Sequence, residues 1–165
     1  MERSLDPARL GDHLDRLFRA AWALCGSRED AEDLVQETYA RVLARPRLLR
    51  NEDDLGYLLR ALRNTFLNRK RSESRRLQPG PLPEQLDLVA DPQARGPEDA
   101  LAAAELYAAI ATLSADFRDV LVAVDIAGLS YREAAHALRI REGTVMSRLY
   151  RARQQVVRMV DGDST

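Results

Sequence analysis

The sequence predicts an all-α protein of two small helical domains joined by a proline-rich linker. Apolar residues recur at the 3.6-residue period of a helix through most of the 165 residues, without strand-like runs. The helical period is interrupted at residues 77–97, which hold five prolines and two glycines. Prolines at this density cannot continue a helix, so we expect this linker to join domains at residues 1–76 and 98–165. The alternative, a long ordered loop within one domain, is unusual in compact proteins.

Composition favours an ordinary intracellular protein. No apolar run is long enough to span a bilayer, and the first residues lack the hydrophobic core of a signal peptide. Cys25 is the single cysteine, so an intrachain disulfide is impossible, and we expect this side chain to pack in the core. We therefore expect a cytoplasmic location and no insertion into a membrane.

The net charge of −1 conceals a segregated pattern. Acidic residues concentrate within residues 29–37, whereas arginine-rich runs occupy residues 60–76 and 139–158. Segregated charge favours several partners over one, although each run is also consistent with a solvated helix face. The sequence shows no Ser/His/Asp set, metal-ligand cluster or phosphate-binding glycine loop. We therefore expect no enzymatic activity, no cofactor and no metal.

Three helices are expected in the N-terminal domain. The first ends at Gly26, and its apolar face comprises Leu10, Leu14, Leu17, Phe18, Ala21 and Cys25. Ser27 begins "SRED", which resembles a capping box, and Pro46 ends the second helix. The core positions of the second helix are Ala31, Leu34, Val35, Thr38, Val42 and Leu43. After the irregular "RPRLLRNEDD", the inward face of the third helix comprises Leu55, Leu58, Leu59, Leu62 and Phe66.

The outward face of the third helix has the composition of a nucleic-acid surface. It comprises Tyr57, Arg60, Asn64, Asn68, Arg71 and Arg75. An aromatic ring, two amides and three guanidiniums supply base stacking, base-edge hydrogen bonds and phosphate neutralisation together. A merely solvated helix would more often carry Glu–Lys pairs at these positions. We therefore predict that this face contacts nucleic acid.

Four helices are expected in the C-terminal domain. The first covers about 98–113, with Leu101, Leu106, Ile110 and Leu113 inward. Ser114 is placed to cap the second helix, and Gly128 follows its end. Ser130 and Glu133 form a capping box before a short helix, the "RIRE" turn and a long amphipathic helix, which together predict a helix-turn-helix. The predicted DNA-facing residues of the long helix are Thr144, Met146, Ser147, Arg148, Tyr150, Arg151 and Arg153.

Three segments resemble sigma factors of the extracytoplasmic-function (ECF) group. "DAEDLVQETYARVL" is similar to the polymerase-binding segment of that group, and "YLLRALRNTFLNRKRS" is similar to its −10-reading helix. "LSYREAAHALRIREGTVMSRLYRARQQV" resembles its −35-reading helix-turn-helix. The resemblance covers roughly residues 10–76 and 98–160. It departs from the group at Met146, where a basic residue is common, and at Tyr57, where Trp is common.

The resemblance implies a role for each of the three surfaces. The acidic helix would dock onto the β′ clamp helices of core RNA polymerase through Asp30, Glu32, Asp33, Leu34, Gln36 and Glu37. Asn64, Asn68 and the nearby arginines would contact the −10 element of promoter DNA, and the long helix would contact the −35 element. The implied function is promoter recognition and opening for transcription initiation. An anti-sigma protein is the further expected partner.

Two other classes of binding protein stay open from the sequence. A duplex-binding helix-turn-helix regulator would need only residues 98–160, but it leaves the acidic helix and the third-helix stripe without a role. A sigma mimic that titrates an anti-sigma protein would not need base-reading residues on both domains. Transcription from a promoter by core polymerase separates the sigma factor from both alternatives.

Overall fold

The computed structural model describes residues 3–5, 7–45, 48–49, 54–75 and 96–162. Over these ranges the chain is helical apart from short connections and one pair of two-residue strands, which confirms the predicted all-α class. Most of the predicted linker, residues 77–95, lies outside the described residues. The next helix begins one residue before the predicted 98, because Gly96 is its N-cap and Pro97 is its first residue. Proline is favoured there because the first helical N–H has no intrahelical acceptor.

The N-terminal part contains three α-helices, as predicted. They are α1 (Leu14–Cys25), α2 (Arg28–Ala44) and α3 (Asp54–Arg75). A 3₁₀ helix, Pro7–His13, precedes α1, and strands β1 (Arg3–Ser4) and β2 (Leu48–Leu49) pair antiparallel. Gly26 ends α1 at φ 74°, with its N–H donating to the Trp22 carbonyl, and the Ser27 hydroxyl accepts from the Asp30 N–H at 3.4 Å. The predicted stop and start signals between α1 and α2 are therefore confirmed.

Helix α1 is buried on almost every side rather than along one stripe. Ala20, Ala23 and Trp22 are buried together with the predicted face, because α1 packs against α2, α3 and α4. Leu14 was predicted to be inward, but it is exposed at the first turn. Leu43, at the end of α2, is likewise exposed. Both residues lie at helix ends. The apolar period of the sequence continues there, but the neighbouring helix no longer covers the side chain.

The C-terminal part contains the four predicted helices. They are α4 (Pro97–Ala111), α5 (Ala115–Leu121), α6 (Tyr131–Leu138) and α7 (Glu142–Gly162), with a π-helical turn, Val122–Ile126, extending α5. The capping box is complete: the Glu133 N–H donates to the Ser130 hydroxyl at 3.1 Å, and the Ser130 N–H donates to the Glu133 carboxylate at 3.0 Å. Arg139 turns the chain at φ 57°, so α6 and α7 form the predicted helix-turn-helix.

Two details of the predicted C-terminal core are wrong. Ser114 occupies the N-cap position of α5, but its side chain makes no capping hydrogen bond. Leu101 is 62% exposed and Leu106 is also exposed, whereas Tyr107 and Ile110 are buried. The alanine-rich α4 offers no strong apolar stripe, so its orientation is set by the packing of Tyr107 and Ile110 against neighbouring helices.

The N-terminal and C-terminal parts pack directly against each other. Helix α1 contacts α4 and the π-helical turn, and α3 contacts α6. The Trp22 and Tyr107 rings lie 4.6 Å apart between centroids, and a Cβ built on Gly26 would lie 3.0 Å from the Ala111 Cβ. Buried residues of both parts therefore form one continuous hydrophobic core. Within the described residues, no helix is both long and apolar enough to cross a membrane.

Candidate polymerase and nucleic-acid interface

The acidic face of α2 lies away from the C-terminal part of the protein. Helix α2 makes its main contacts with α1 and α3. Asp30 and Gln36 are exposed on α2, and Glu32 and Asp33 are half-buried. The Ser27 cap places Glu29 and Asp30 in the first turn, where negative charge is favourable beside the helix N-terminus. The result is an accessible acidic surface on one side of a helix.

Two members of the predicted docking set do not belong to this open acidic surface. Leu34 is 0% exposed and packs in the core, so its side chain is not part of the open surface. Glu37 accepts a hydrogen bond from Arg41 at 3.0 Å and another from Arg69 of α3 at 2.5 Å. Glu37 therefore links α2 to α3. Its pairing with Arg41 follows the i, i+4 spacing of a helix, whereas Arg69 is 32 residues away and cannot be recognised from helix spacing.

The nucleic-acid stripe predicted on α3 divides into an accessible and an occupied portion. Asn64, Asn68, Arg71 and Arg75 are exposed. Tyr57 is half-buried and packs partly against the core, which reduces the ring surface available for stacking. Arg60 is half-buried too, because its side chain turns to the C-terminal part. The exposed portion therefore begins at Asn64 and runs toward the C-terminus of the helix.

Arg60 binds the C-terminal end of α6. Its Nε donates to the Ala137 carbonyl at 3.0 Å, and its Nη2 donates to the His136 carbonyl at 2.7 Å. The last carbonyls of a helix lack intrahelical donors and carry partial negative charge, so a guanidinium is favourable at this place. In this arrangement of the chain the Arg60 side chain caps α6, and its contact with the −10 element stays a prediction.

Two further α3 side chains contact the C-terminal part, and the sequence did not single them out for this role. The Arg63 Nε donates to the Asp119 carboxylate at 2.7 Å. The Arg118 guanidinium lies 5.0 Å from the centroid of the Phe66 ring. Arg60, Arg63 and Phe66 follow one another at three-residue spacing and face α5 and α6. The three-residue spacing indicates that these side chains share one face of α3. It does not identify their partners, because those partners lie far away in the chain.

The predicted DNA-facing surface of α7 is largely open. Met146 is 51% exposed and Tyr150 is 66% exposed, with Ser147 and Arg151 exposed beside them. The opposite side of α7 buries Val145, Leu149 and Ala152, as predicted from the periodicity. Helix α7 thus presents an aromatic ring, a thioether, a hydroxyl and a guanidinium on an otherwise firmly packed helix. Those groups can contact bases through hydrogen bonds or apolar contacts.

Two arginines of the predicted −35 set pair with carboxylates within the C-terminal part. Arg153 donates from Nε and Nη2 to Asp125 at 2.9 and 2.7 Å, and these hydrogen bonds raise the pKa of its guanidinium. This bidentate pair holds α7 against the π-helical turn, so Arg153 is engaged within the protein, and its contact with DNA stays a prediction. Arg148 lies 3.6 Å from the Asp116 carboxylate, and Thr144 is half-buried.

Burial affects two titratable groups of the N-terminal part. Burial raises the pKa of the Cys25 thiol to about 12, and the nearby Asp30 carboxylate acts in the same direction. Cys25 is thus held as a neutral thiol packed against the core, in agreement with the prediction. Burial also raises the pKa of Tyr39 to about 12, and its hydroxyl donates to the Leu10 carbonyl at 2.9 Å. Among the described residues, no three His, Cys, Asp or Glu side chains converge to hold a metal.

The chain combines an acidic face on α2, exposed amides and arginines on α3 and a helix-turn-helix, and comparisons with protein families identify sigma-70 regions in the same places. Residues 10–76 match the family model of sigma-70 region 2, and residues 103–156 match that of sigma-70 region 4. The chain is 33% identical over 145 residues to the ECF RNA polymerase sigma factor EcfG of Rhodopseudomonas palustris, covering 86% of this chain and 78% of that protein.

Two further comparisons agree with this one. The ECF RNA polymerase sigma factor SigE of Mycolicibacterium smegmatis is 40% identical over 150 residues, or 87% of this chain, but the chain spans only 57% of its length. The fold is similar to that of the sigma factor RpoE solved in complex with the anti-sigma factor NepR from Bartonella quintana, with a TM-score of 0.68, 24% identity and coverage of 93% and 95% of the two chains. The chain belongs to the ECF group of RNA polymerase sigma factors, which direct promoter-specific transcription initiation.

Proposed function

We propose that this protein recruits core RNA polymerase to specific promoters and supports their opening. The observation that carries the proposal is the presence of three separate surfaces on one chain of this family: the acidic face of α2, the exposed polar stripe of α3 and the open face of α7. The polymerase supplies the nucleotidyl-transfer chemistry, and this chain supplies positioning. The proposed place of action is the cytoplasm.

Polymerase docking is proposed for the acidic face of α2, with the β′ clamp helices as its partner. Asp30, Glu32, Asp33 and Gln36 are the contact residues, and Leu34 supports them from the core. Glu37 takes a different role, since its carboxylate is shared by Arg41 and Arg69. It positions the docking helix relative to α3, so that docking orients the −10-reading stripe.

Promoter reading is proposed for α3 and α7. The exposed Asn64 and Asn68 suit hydrogen bonds to the bases of a melted −10 strand, and Arg71 and Arg75 suit its phosphates. Met146, Ser147, Tyr150 and Arg151 suit the major groove of the −35 element, because they lie near the N-terminal half of the second helix of a helix-turn-helix. The proposed organisation is a −10 domain at residues 1–76, a linker at 77–97 and a −35 domain at 98–165.

An anti-sigma protein is a proposed further partner, supported by the fold similarity to a sigma factor solved in complex with one. A duplex-binding regulator is the second candidate function. It would bind a promoter duplex tightly without polymerase, whereas the present proposal expects weak duplex binding because the −10 reader needs a melted strand. The cost of melting exceeds what the small α3 surface returns by itself.

Run-off transcription tests the proposal. Core polymerase is incubated with a genomic-fragment library with and without the protein, and transcripts that depend on the protein are mapped. We expect protein-dependent start sites that share −35 and −10 sequences. No stimulation from any fragment, together with tight binding to a duplex, would establish the regulator instead.

A charge reversal on α2 tests the docking surface. Asp30→Lys with Asp33→Lys should lower retention of the protein on immobilised core polymerase at least tenfold and leave helix content unchanged. Glu29→Lys is the matched control, since it reverses an exposed charge on the same helix outside the docking set. Equal retention of the double variant and wild type would remove α2 as the docking surface.

A further inference from the structure

The outward face of α7 carries a polar side chain outside the predicted −35 set. Gln154 is exposed, and its side-chain amide has no hydrogen-bond partner among the described residues. It follows Ser147 by seven residues, which is two helical turns less about 20°. The two side chains therefore lie in one column along the helix, with the exposed Tyr150 on one side of that column and the exposed Arg151 on the other.

This column points directly away from the core. The buried side of α7 comprises Val145, Leu149 and Ala152. Each residue of a helix turns by about 100°, so Gln154 lies about 170° around the axis from the mean direction of those three side chains. A helix that is held on its apolar side and enters a groove with its outward side therefore presents Gln154 at the middle of the contact.

The distance along the helix keeps Gln154 within reach of base edges. With a rise of about 1.5 Å per residue, Gln154 lies about 10 Å beyond Ser147, whereas Arg158 lies about 17 Å beyond it. The major groove of DNA is about 12 Å wide. A helix whose N-terminal end meets the bases therefore still holds Gln154 over the groove, while Arg158 reaches the phosphates at its border.

The amide of Gln154 differs from its neighbours in what it offers a base. The Ser147 hydroxyl already donates to the Thr144 carbonyl at 3.2 Å, so the capacity left to it is that of an acceptor. Arg151 offers donors only. The amide places a donor beside an acceptor, and this arrangement matches the N7 acceptor and N6 donor of adenine. Guanine presents two acceptors at the same edge, and cytosine presents a donor.

We propose that Gln154 is a further specificity-determining residue, and that it reads an adenine beside the −35 bases contacted by Ser147 and Arg151. The inference deepens the proposed function of α7, on which it rests. It requires α7 to lie in a major groove, as the second helix of a helix-turn-helix does. The expected consequence is a preference for adenine at one position of the −35 element, not a general preference for A·T pairs.

Two substitutions of Gln154 separate a base contact from other roles. Gln154→Glu keeps the size of the side chain and removes the donor. A carboxylate accepts from the N4 amino group of cytosine, so the preferred base should change from adenine to cytosine at that one position. Gln154→Ala removes both groups and should abolish an adenine preference of about 5- to 150-fold there. Neither change threatens the fold, because the residue is exposed and both replacements are good helix formers.

The next residue supplies a matched control. Gln155 carries the same amide, but it is half-buried and lies about 100° around the axis from Gln154. Gln155→Glu adds the same charge to the same part of α7, so both glutamate variants should weaken overall DNA binding by similar factors. Gln154→Glu should change the preferred base, whereas Gln155→Glu should leave it unchanged.

Two assays with the full chain record the base preference. In the first, core polymerase and the protein transcribe a promoter recovered in the run-off assay, with the −35 element and its flanks randomised and each template identified by a transcribed barcode. In the second, the protein alone selects duplexes from a fully randomised library at low salt, and the retained duplexes are sequenced. Low salt strengthens the phosphate contacts that hold a weak duplex complex together.

The expected result is a change from adenine to cytosine in Gln154→Glu that Gln155→Glu does not show. Transcription by wild type with the same base profile in the Gln154 variants would overturn the inference and leave the sigma function intact. An equal loss of affinity for every sequence would assign Gln154 to a phosphate instead of a base. Absence of transcription together with the adenine-to-cytosine change in the duplex selection would overturn the sigma function and keep the base contact. No enrichment of any sequence in either assay would overturn both.

Discussion

The two candidate DNA-reading helices, α3 and α7, carry similar chemistry but differ in accessibility. The α3 stripe and the α7 face each combine arginine, an aromatic ring and smaller polar groups. On α7, Tyr150 is 66% exposed and Arg151 is exposed beside it. On α3, Tyr57 is half-buried and Arg60 donates to the carbonyls at the end of α6. The α7 face is therefore presented to solvent, whereas the N-terminal portion of the α3 stripe is partly occupied.

The difference shows that residue type alone does not make a binding surface. An arginine satisfies its donors wherever acceptors are available, and the unpaired carbonyls at a helix C-terminus are strong acceptors. Arg60 finds such carbonyls because α3 and α6 pack together. Arg151 has no comparable hydrogen-bond or ion-pair partner among the described residues, because its side of α7 faces outward.

The largest expected effect comes from removing a buried leucine beneath each reading helix. Leu149 of α7 and Leu62 of α3 are both fully buried in the same continuous core. Leu149→Ala and Leu62→Ala should each lower the free energy of unfolding by about 2–5 kcal/mol. Urea denaturation followed by Trp22 emission and by circular dichroism should show one coincident transition in both variants. A Leu149→Ala transition that leaves the Trp22 midpoint at its wild-type value would show that the two helices belong to independent folding units.

The next largest expected effect distinguishes two arginines of α7: Arg151, which is open to solvent, and Arg153, which is paired with Asp125. Arg151→Ala should weaken binding to the −35 duplex by about 1–3 kcal/mol, since it removes a direct contact. Arg153→Ala should weaken it less, because that side chain is held by Asp125. Fluorescence anisotropy at several salt concentrations measures both. An equal loss of affinity in the two variants would show that Arg153 leaves Asp125 to contact DNA.

A more local effect concerns Met146, at the N-terminal end of the open face. A thioether cannot donate to guanine, so we expect apolar contact with thymine methyl groups or shape recognition beneath it. Met146→Arg should change the preferred base at one or two −35 positions, by about 1–3 kcal/mol per altered contact. Transcription from a library randomised across the −35 element measures the preference. A profile identical to wild type at every position would assign Met146 to packing alone.

The smallest expected effect appears at alkaline pH, in the part that carries α3. Tyr39 has an ordinary pKa near 10.0, raised to about 12 by burial in the folded state. Because the folded chain holds this proton more tightly, the stabilisation is fully present below pH 10 and is lost as the pH rises toward 12. Tyr39→Phe should make the free energy of unfolding less dependent on pH in this window. A wild-type slope that persists in Tyr39→Phe would assign the dependence to other groups, such as Cys25.

Local signals predicted the boundaries and turns of this fold well. The Ser130–Glu133 capping box and the Gly26 stop are properties of four or five consecutive residues, so neighbours in the chain suffice to define them. The buried face of α3, from Leu55 to Phe66, was likewise predicted correctly from its period. Each of these features depends on contacts within one helix or one turn.

Features that depend on neighbouring helices were predicted less well. Periodicity assigns one stripe of α1 to the core, but Ala20 and Ala23 are buried as well because other helices cover the remaining sides. On α4, Leu101 fits the period and is nevertheless exposed, since Tyr107 and Ile110 direct the helix. Small residues carry little information about burial in a sequence, yet they permit the closest helix contacts.

The sequence by itself determined the all-α class, the helix-turn-helix and the chemical types on each outward face, because these follow from local propensity, capping and periodicity. The tertiary structure alone decided which of those outward side chains are free. Arg60, Glu37 and Arg153 pair with groups 28 to 77 residues away or across a helix boundary. Such pairs arise when packing of the apolar core brings distant helices together, so no spacing along the chain reveals them.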